Sequence, residues 1–167
     1  MKARDKVKAV PELLEILDAA RLLGSRIVFT NGCFDLLHVG HVEYLEAARS
    51  AGDLLVVAVN SDASVKCIKG PLRPVTPEGE RSEVVAALHC VDYVCLFDTP
   101  DPLPLIELLR PDVLVKGADW PLEKIVGADT VRRNGGEVVR IPLTPRASTT
   151  GIIERIIGRF TGNGPNA

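Results

Sequence analysis

Short β-branched and aliphatic runs alternate with segments of helical spacing along almost the whole sequence, and that alternation restricts the fold more than any other feature. Runs at Arg26–Thr30, Leu54–Asn60, Tyr93–Phe97, Val113–Lys116 and Glu137–Pro142 read as strands. Their continuous apolar character is that of parallel strands covered on both faces. Between them, Val10, Leu13, Leu14 and Leu17 share one helical face ahead of Gly24, and Val42, Leu45 and Ala48 share another ahead of Gly52. A third helix is expected to open at Thr76-Pro77, the threonine capping and the proline in the first turn, with Val84, Val85 and Leu88 as its apolar stripe. Pro102–Arg110 and Pro121–Asn134 predict two more helices, and a last one sets Ile152, Ile153, Ile156, Ile157 and Phe160 on one side. The pattern predicts an α/β fold: a Rossmann-like, doubly wound, five-stranded parallel sheet over residues 25–160. An extra N-terminal helix from residues 1–24 packs on it, and the Gly-, Pro- and Asn-rich residues 161–167 are expected to fray.

Charge and cysteine usage narrow the function. The chain has 20 basic and 22 acidic residues, a net charge of −2, which excludes a broadly basic nucleic-acid face. The longest aliphatic run, Leu54–Val59, is far short of the roughly 20 residues that cross a bilayer, so no membrane partner is expected. Met1–Lys8 lacks the apolar stretch of a secretory signal. Four cysteines (Cys33, Cys67, Cys90, Cys95) form no Cys-x-x-Cys pair, and there are only three histidines. A disulfide scaffold or structural zinc site is not expected, and a cytoplasmic location is.

One segment interrupts the rhythm. Ser61–Val75 shows no clear periodicity, carries Lys66, Lys69 and Arg73, and has no acid from Ser64 onward. It reads as a long loop able to close over an anion, with an idle surface loop as the alternative.

Ligands of open parallel sheets bind at the carboxyl ends of the strands, where strand order reverses. The segment after the first strand, Thr30 to His41, contains no Gly-x-Gly-x-x-Gly, and no Gly-Lys-Ser/Thr of a phosphate-binding loop occurs in the chain. Instead His38 and His41 flank Gly40 at a predicted helix start. Free N–H groups and the positive end of the dipole favour phosphate there, and Gly40 leaves its approach open. Histidines three apart can donate from one face. Simple helix capping is the alternative, and Asp35 alone completes no metal-ligand set.

The string Asn31-Gly32-Cys33-Phe34-Asp35-Leu36-Leu37-His38-Val39-Gly40-His41 resembles the signature of the cytidylyltransferase-like nucleotidyltransferases. Lys116-Gly117-Ala118-Asp119-Trp120 after the fourth strand and Ser148-Thr149-Thr150 at the last helix fall where that superfamily has its other blocks. More narrowly, Ala58–Ser64, Lys69-Gly70, Arg73-Pro74-Val75, Val115-Lys116-Gly117 and Asn134–Val138 resemble the adenylyltransferase domain of bacterial ADP-heptose synthase, here in a stand-alone form. The resemblance covers Arg26 to Ile157. It implies ATP and D-glycero-β-D-manno-heptose 1-phosphate as substrates, ADP-heptose and pyrophosphate as products, Mg²⁺ carried by the triphosphate with no protein metal site, and a homodimer. The alternatives are a cytidylyl- or guanylyltransferase acting on another phosphate, such as glycerol 3-phosphate, and a non-catalytic nucleotide-binding module.

The resemblance also assigns roles. His38 and His41 stabilise charge at the reacting triphosphate, and Cys33 (through its backbone) and Phe34 contact the nucleotide. Lys66 or Lys69 bridges acceptor phosphate and triphosphate. Gly117 admits ribose or base, and Asp119 accepts from a ribose hydroxyl. Ser148, Thr149 and Thr150 hold the β- and γ-phosphates, with plain N-capping as the alternative. Arg81 falls on a core-facing helical stripe, where a charge needs a partner or a bound anion; it is assigned to the triphosphate, with an internal salt bridge to a carboxylate as the alternative. Arg146 sits nearer Ser148 than the corresponding arginine of cytidylyltransferases, so its role stays open.

Overall fold

A computed structural model describes residues 2–143 and 148–161; Arg146 and residues 162–167 of the expected tail lie outside that range. Helix α1 (Val10–Leu22) precedes strand β1 (Ile27–Gly32), and then follow α2 (Val39–Arg49), β2 (Leu54–Asn60), α3 (Asp62–Lys69) and α4 (Glu78–Ala86). The remainder is β3 (Tyr93–Phe97), α5 (Leu103–Leu109), β4 (Val113–Gly117), α6 (Ala128–Arg133), β5 (Glu137–Ile141) and α7 (Thr149–Phe160). All strand pairs are parallel, in the order β3-β2-β1-β4-β5. The chain winds outward from β1 to β3, then crosses back to β4 on the other side of β1. The strand order therefore reverses between β1 and β4, opening a crevice at their carboxyl ends.

Period-two alternation sorts the strand residues into two cores. Ile27, Phe29, Val56, Ala58, Cys95 and Leu114 face a layer made by Leu13 and Leu17 of α1, Ile106 and Leu109 of α5, and Val131 of α6. Val28, Leu55, Val57, Val59, Val94 and Val115 face Leu45 and Ala48 of α2 and Val85 and Ala86 of α4. The N-terminal helix is thus part of one layer, and Val7 adds an isolated parallel bridge to Val94 on the edge strand. Gly24, at φ +78, turns the chain out of α1 where a side chain would be strained.

Four segments depart from the sequence expectation. Ser61–Val75 contains α3, because Ser61 caps it by accepting from the Ser64 N–H at 3.2 Å. Its buried face is polar apart from Val65: Ser64 accepts from Asn60 Nδ2, so no apolar stripe announces the helix. In α4, Thr76 makes no side-chain cap and Pro77 occupies the cap position; Val84 is half exposed, and the inward set is Arg81, Ser82, Val85 and Ala86. Pro121–Asn134 is split into a 3-10 turn at Leu122–Lys124 and α6 by Gly127 at φ +85. The stripe of α7 does not enter the core: no residue of this helix is buried, and Phe160 is 85 % exposed.

Candidate active site

A cleft of about 620 Å³ lies over the crest where β1 and β4 separate. Its near wall begins at the end of β1. Phe34 adopts a left-handed backbone (φ 44), unusual for a bulky residue, and its buried ring rests against His41 with centroids 5.3 Å apart. Gly32 makes room for that ring, since a Cβ there would stand 3.0 Å from it. Tyr44 of α2 ties the helix across the crest: its hydroxyl lies 2.8 Å from Thr30 Oγ1 and donates to the Val115 carbonyl at 3.1 Å. Burial raises its pKa to about 12, so it stays a donor.

The histidine pair stands on the first turn of α2. His38 occupies the N-cap position with extended backbone but makes no side-chain cap, and its carbonyl accepts from the His41 N–H at 2.9 Å. Capping therefore does not account for its side chain. The two imidazoles stack, centroids 3.8 Å apart and planes within 19°. Both Nδ1 atoms are buried, without a hydrogen-bond partner among the described residues. Burial, and secondarily the neighbouring His38, lowers the His41 pKa to about 4; burial lowers that of His38 as well. At neutral pH the rings are uncharged, and protonation at Nε2 leaves each bare Nδ1 buried while Nε2–H is free to donate.

Asp35 organises the other approach to the cleft. It is buried and accepts from Arg73 Nε and from the backbone N–H groups of Val75 and Thr76 at 2.9–3.0 Å. Burial alone would raise its pKa, but those bonds from Thr76, Val75 and Arg73 outweigh it and hold the carboxyl below its ordinary 3.8. The strap after α3, a helix whose last residue Lys69 lines the cleft, is thereby fastened to the loop after β1. Asp35→Asn is expected to cost about 1–3 kcal/mol and to speed protease cleavage within 69–76. The wild-type contribution is complete above the ordinary carboxylate pKa and fades as pH falls through the depressed folded value. Chemical denaturation at pH 7 and pH 3 checks this: a deficit of the variant that does not shrink at pH 3 would show that the charge is not what fastens the strap.

The far wall comes from β4 and α7. A Cβ on Gly117 would stand 2.3 Å from Asp119 Oδ1, so the glycine is what lets that carboxylate fold over the end of the strand. Ser148 does cap α7, accepting from the Gly151 N–H at 3.0 Å, and Thr149 Oγ1 donates to the Leu36 carbonyl at 3.3 Å. Both hydroxyls are thus engaged while the residues still line the cleft with Thr150.

The cleft gathers Cys33, Phe34, His38, Gly40, His41, Lys69, Gly117, Asp119, Ser148, Thr149 and Thr150. Lys66 and Arg81 are not in its lining. Lys66 is exposed on α3, whereas Arg81 lies beneath the cleft with its side chain wholly buried and ion-paired to Asp62. The structure therefore does not place Arg81 where the expected triphosphate contact requires it: the alternative, an internal carboxylate, holds the guanidinium beneath the cleft. Sequence reasoning assigned no role to Asn31 or Tyr44, and took Arg73 only as one of the basic residues of a loop able to close over an anion, not as the partner of Asp35. Their partners lie 14 to 85 positions away, at spacings no local pattern displays.

A model of the family described as Cytidylyltransferase-like matches residues 29–155, spanning every wall of the cleft. The chain belongs to the cytidylyltransferase-like family. Among cytidylyltransferase-like relatives, the bifunctional protein HldE of Trichlorobacter lovleyi is 54% identical over 156 residues, covering 93% of this chain and 32% of that protein. HldE of Azotobacter vinelandii is 52% identical over 150 residues, 90% of this chain and 32% of that protein. The chain thus spans about a third of the length of these curated relatives. A crystal structure of the lipopolysaccharide core biosynthesis protein from Thermoplasma volcanium superposes with a TM-score of 0.61 at 29% identity, covering 72% of this chain and 99% of that one.

Proposed function

We propose that this cytidylyltransferase-like domain transfers the adenylyl group of ATP to heptose 1-phosphate, giving ADP-heptose and pyrophosphate for surface-glycan assembly. The observation that carries the reading is the stacked His38–His41 pair at the start of α2, at the β1–β4 switch point, with both Nδ1 atoms lacking a hydrogen-bond partner among the described residues. Two neutral donors beside free helix N–H groups suit a triphosphate whose charge shifts toward the leaving pyrophosphate. Identity above 50% to HldE proteins, with the blocks shared with ADP-heptose synthase, supports the choice of ATP and a heptose phosphate.

The acceptor is a phosphate monoester, so no side chain need act as a nucleophile. An acceptor phosphate oxygen attacks the α-phosphorus and forms a new P–O bond. The bond from that phosphorus to the α–β bridging oxygen breaks, its electron pair leaving with pyrophosphate. His38 and His41 donate to triphosphate oxygens from the start of α2, Lys69 supplies a cation from the end of α3, and Asp119 accepts from a ribose hydroxyl beside Gly117. Mg²⁺ would enter this cleft with the triphosphate as its counter-ion, a hard cation suited to phosphate oxygens. When bound, it offsets charge on the phosphate oxygens.

The reading includes a cytoplasmic homodimer. Four free cysteines support the compartment, and the uncovered stripe of α7 supports a second copy. No helix among the described residues is long and apolar enough to cross a membrane.

Pyrophosphate release is the test, with each nucleoside triphosphate and a panel of sugar and polyol phosphates in the presence of Mg²⁺. Release is expected with ATP and heptose 1-phosphate. Preference for CTP or GTP, or for glycerol 3-phosphate, would replace the substrate assignment. No release with any pair would leave a nucleotide-binding module.

A further inference from the structure

The floor of the cleft holds a cation that the histidine pair and the strap do not explain. β1 and β4 run in parallel with Phe29 opposite Leu114, so two residues further along Asn31 stands opposite Lys116. Both side chains fall on the sheet face of Phe29 and Leu114, and Lys116 Nζ donates to Asn31 Oδ1. Among the described residues this is the ammonium's sole hydrogen bond, and no carboxylate lies within ion-pair distance of it. Desolvation lowers its pKa to about 8, with no neighbouring acid to offset the burial. A cation so placed is unfavourable until an anion arrives. Among the described residues two of its three N–H donors have no partner, and the residue lines the cleft.

Its position gives the anion's identity. The histidines stand on α2, which packs on the opposite face, the one carrying Val28 and, through Tyr44, Thr30. Lys116 and the histidines therefore flank the crest from opposite sides. In-line displacement needs the entering oxygen and the leaving pyrophosphate on opposite sides of the α-phosphorus. With the histidines on the triphosphate, the entering side is the one above Lys116.

We propose that Lys116, braced by Asn31, binds the phosphate of the acceptor substrate. The asparagine amide accepts from the ammonium without neutralising it, which holds the side chain in place and keeps its charge for the ligand. An acid in its place would cancel that charge.

The proposal rests on the nucleotidyl-transfer reading, and the experiment separates the two. In Lys116→Met the KM for heptose 1-phosphate is expected to rise roughly 10- to 100-fold, the worth of a lost charge-assisted bond, while that for ATP stays within about twofold. Lys116→Arg should restore part of the loss. A larger rise in the KM for ATP, or no change in either constant, overturns the assignment. Inorganic phosphate, titrated calorimetrically into the full chain without nucleotide, gives a readout independent of turnover. Binding weakened about tenfold or more in Lys116→Met, and weakened less in Asn31→Ala, supports the site even in a protein that releases no pyrophosphate; equal binding in all three proteins overturns it.

Discussion

Replacing His41 with alanine is expected to lower turnover roughly 100- to 1000-fold with the fold retained. On the proposed reading the ring gives one hydrogen bond to a phosphate oxygen that gains charge as the reaction proceeds, and such a donor acts mainly on the transition state. The loss should therefore appear in kcat more than in the KM for ATP. His38→Ala should fall by a similar factor. Because the rings stack and share one task, the double variant should be little worse than either single one.

A pH experiment tests the same ring without substrate. In the free protein His41 has its pKa lowered from 6.5 to about 4 by burial and by His38. The unfolded chain then binds more protons than the folded one across that interval, so stability should decline as pH falls from 6.5 toward 4. Thermal melts of the alanine variant should show a shallower decline. Variant turnover within about threefold of wild type would remove the pair from the chemistry, whatever the melts show.

The sheet was legible because parallel strands buried on both faces must be apolar along their length, and β2 from Leu55 to Val59 is an unbroken example. The corner proposed to hold phosphate was legible because its parts are consecutive: the end of β1, a glycine-containing turn and the first turn of α2. What escaped was held by polar contacts between distant segments. Helix α3 hides behind a face of serines, and Asp35 shows its purpose only when Arg73, Val75 and Thr76 fold back onto it. Lys116 stood within a quoted block, yet its significance depends on Asn31 in the neighbouring strand and on a missing counter-ion. Neither can be read from spacing. Arg81 marks the boundary: its helical register correctly put it inward, but the choice between ligand and scaffold needed coordinates.

Those coordinates predict the largest stability effect in the molecule. The Arg81 guanidinium donates to the carbonyls of Thr76, Cys33 and Asn60 and to Asp62 Oδ1, with no exposed side-chain surface. It thus joins the loop after β1, the end of β2, the start of α3 and the entry to α4, four segments that meet beneath the cleft. A planar fork with several fixed donors can serve four acceptors at once; a lysine ammonium cannot reproduce that geometry. Arg81→Met would leave three carbonyls and a carboxylate without their donor and should cost about 3–5 kcal/mol, with Arg81→Lys recovering only part. Asp62→Asn should cost less, because its carboxylate is partly exposed and can turn to water. Equilibrium unfolding of the three variants orders these effects. Kinetics at a temperature where all remain folded then separate scaffold from ligand contact: a KM for ATP near wild type accompanies a purely structural arginine. An unfolding curve unchanged by Arg81→Met, with that KM raised many-fold, would instead place the guanidinium on the triphosphate.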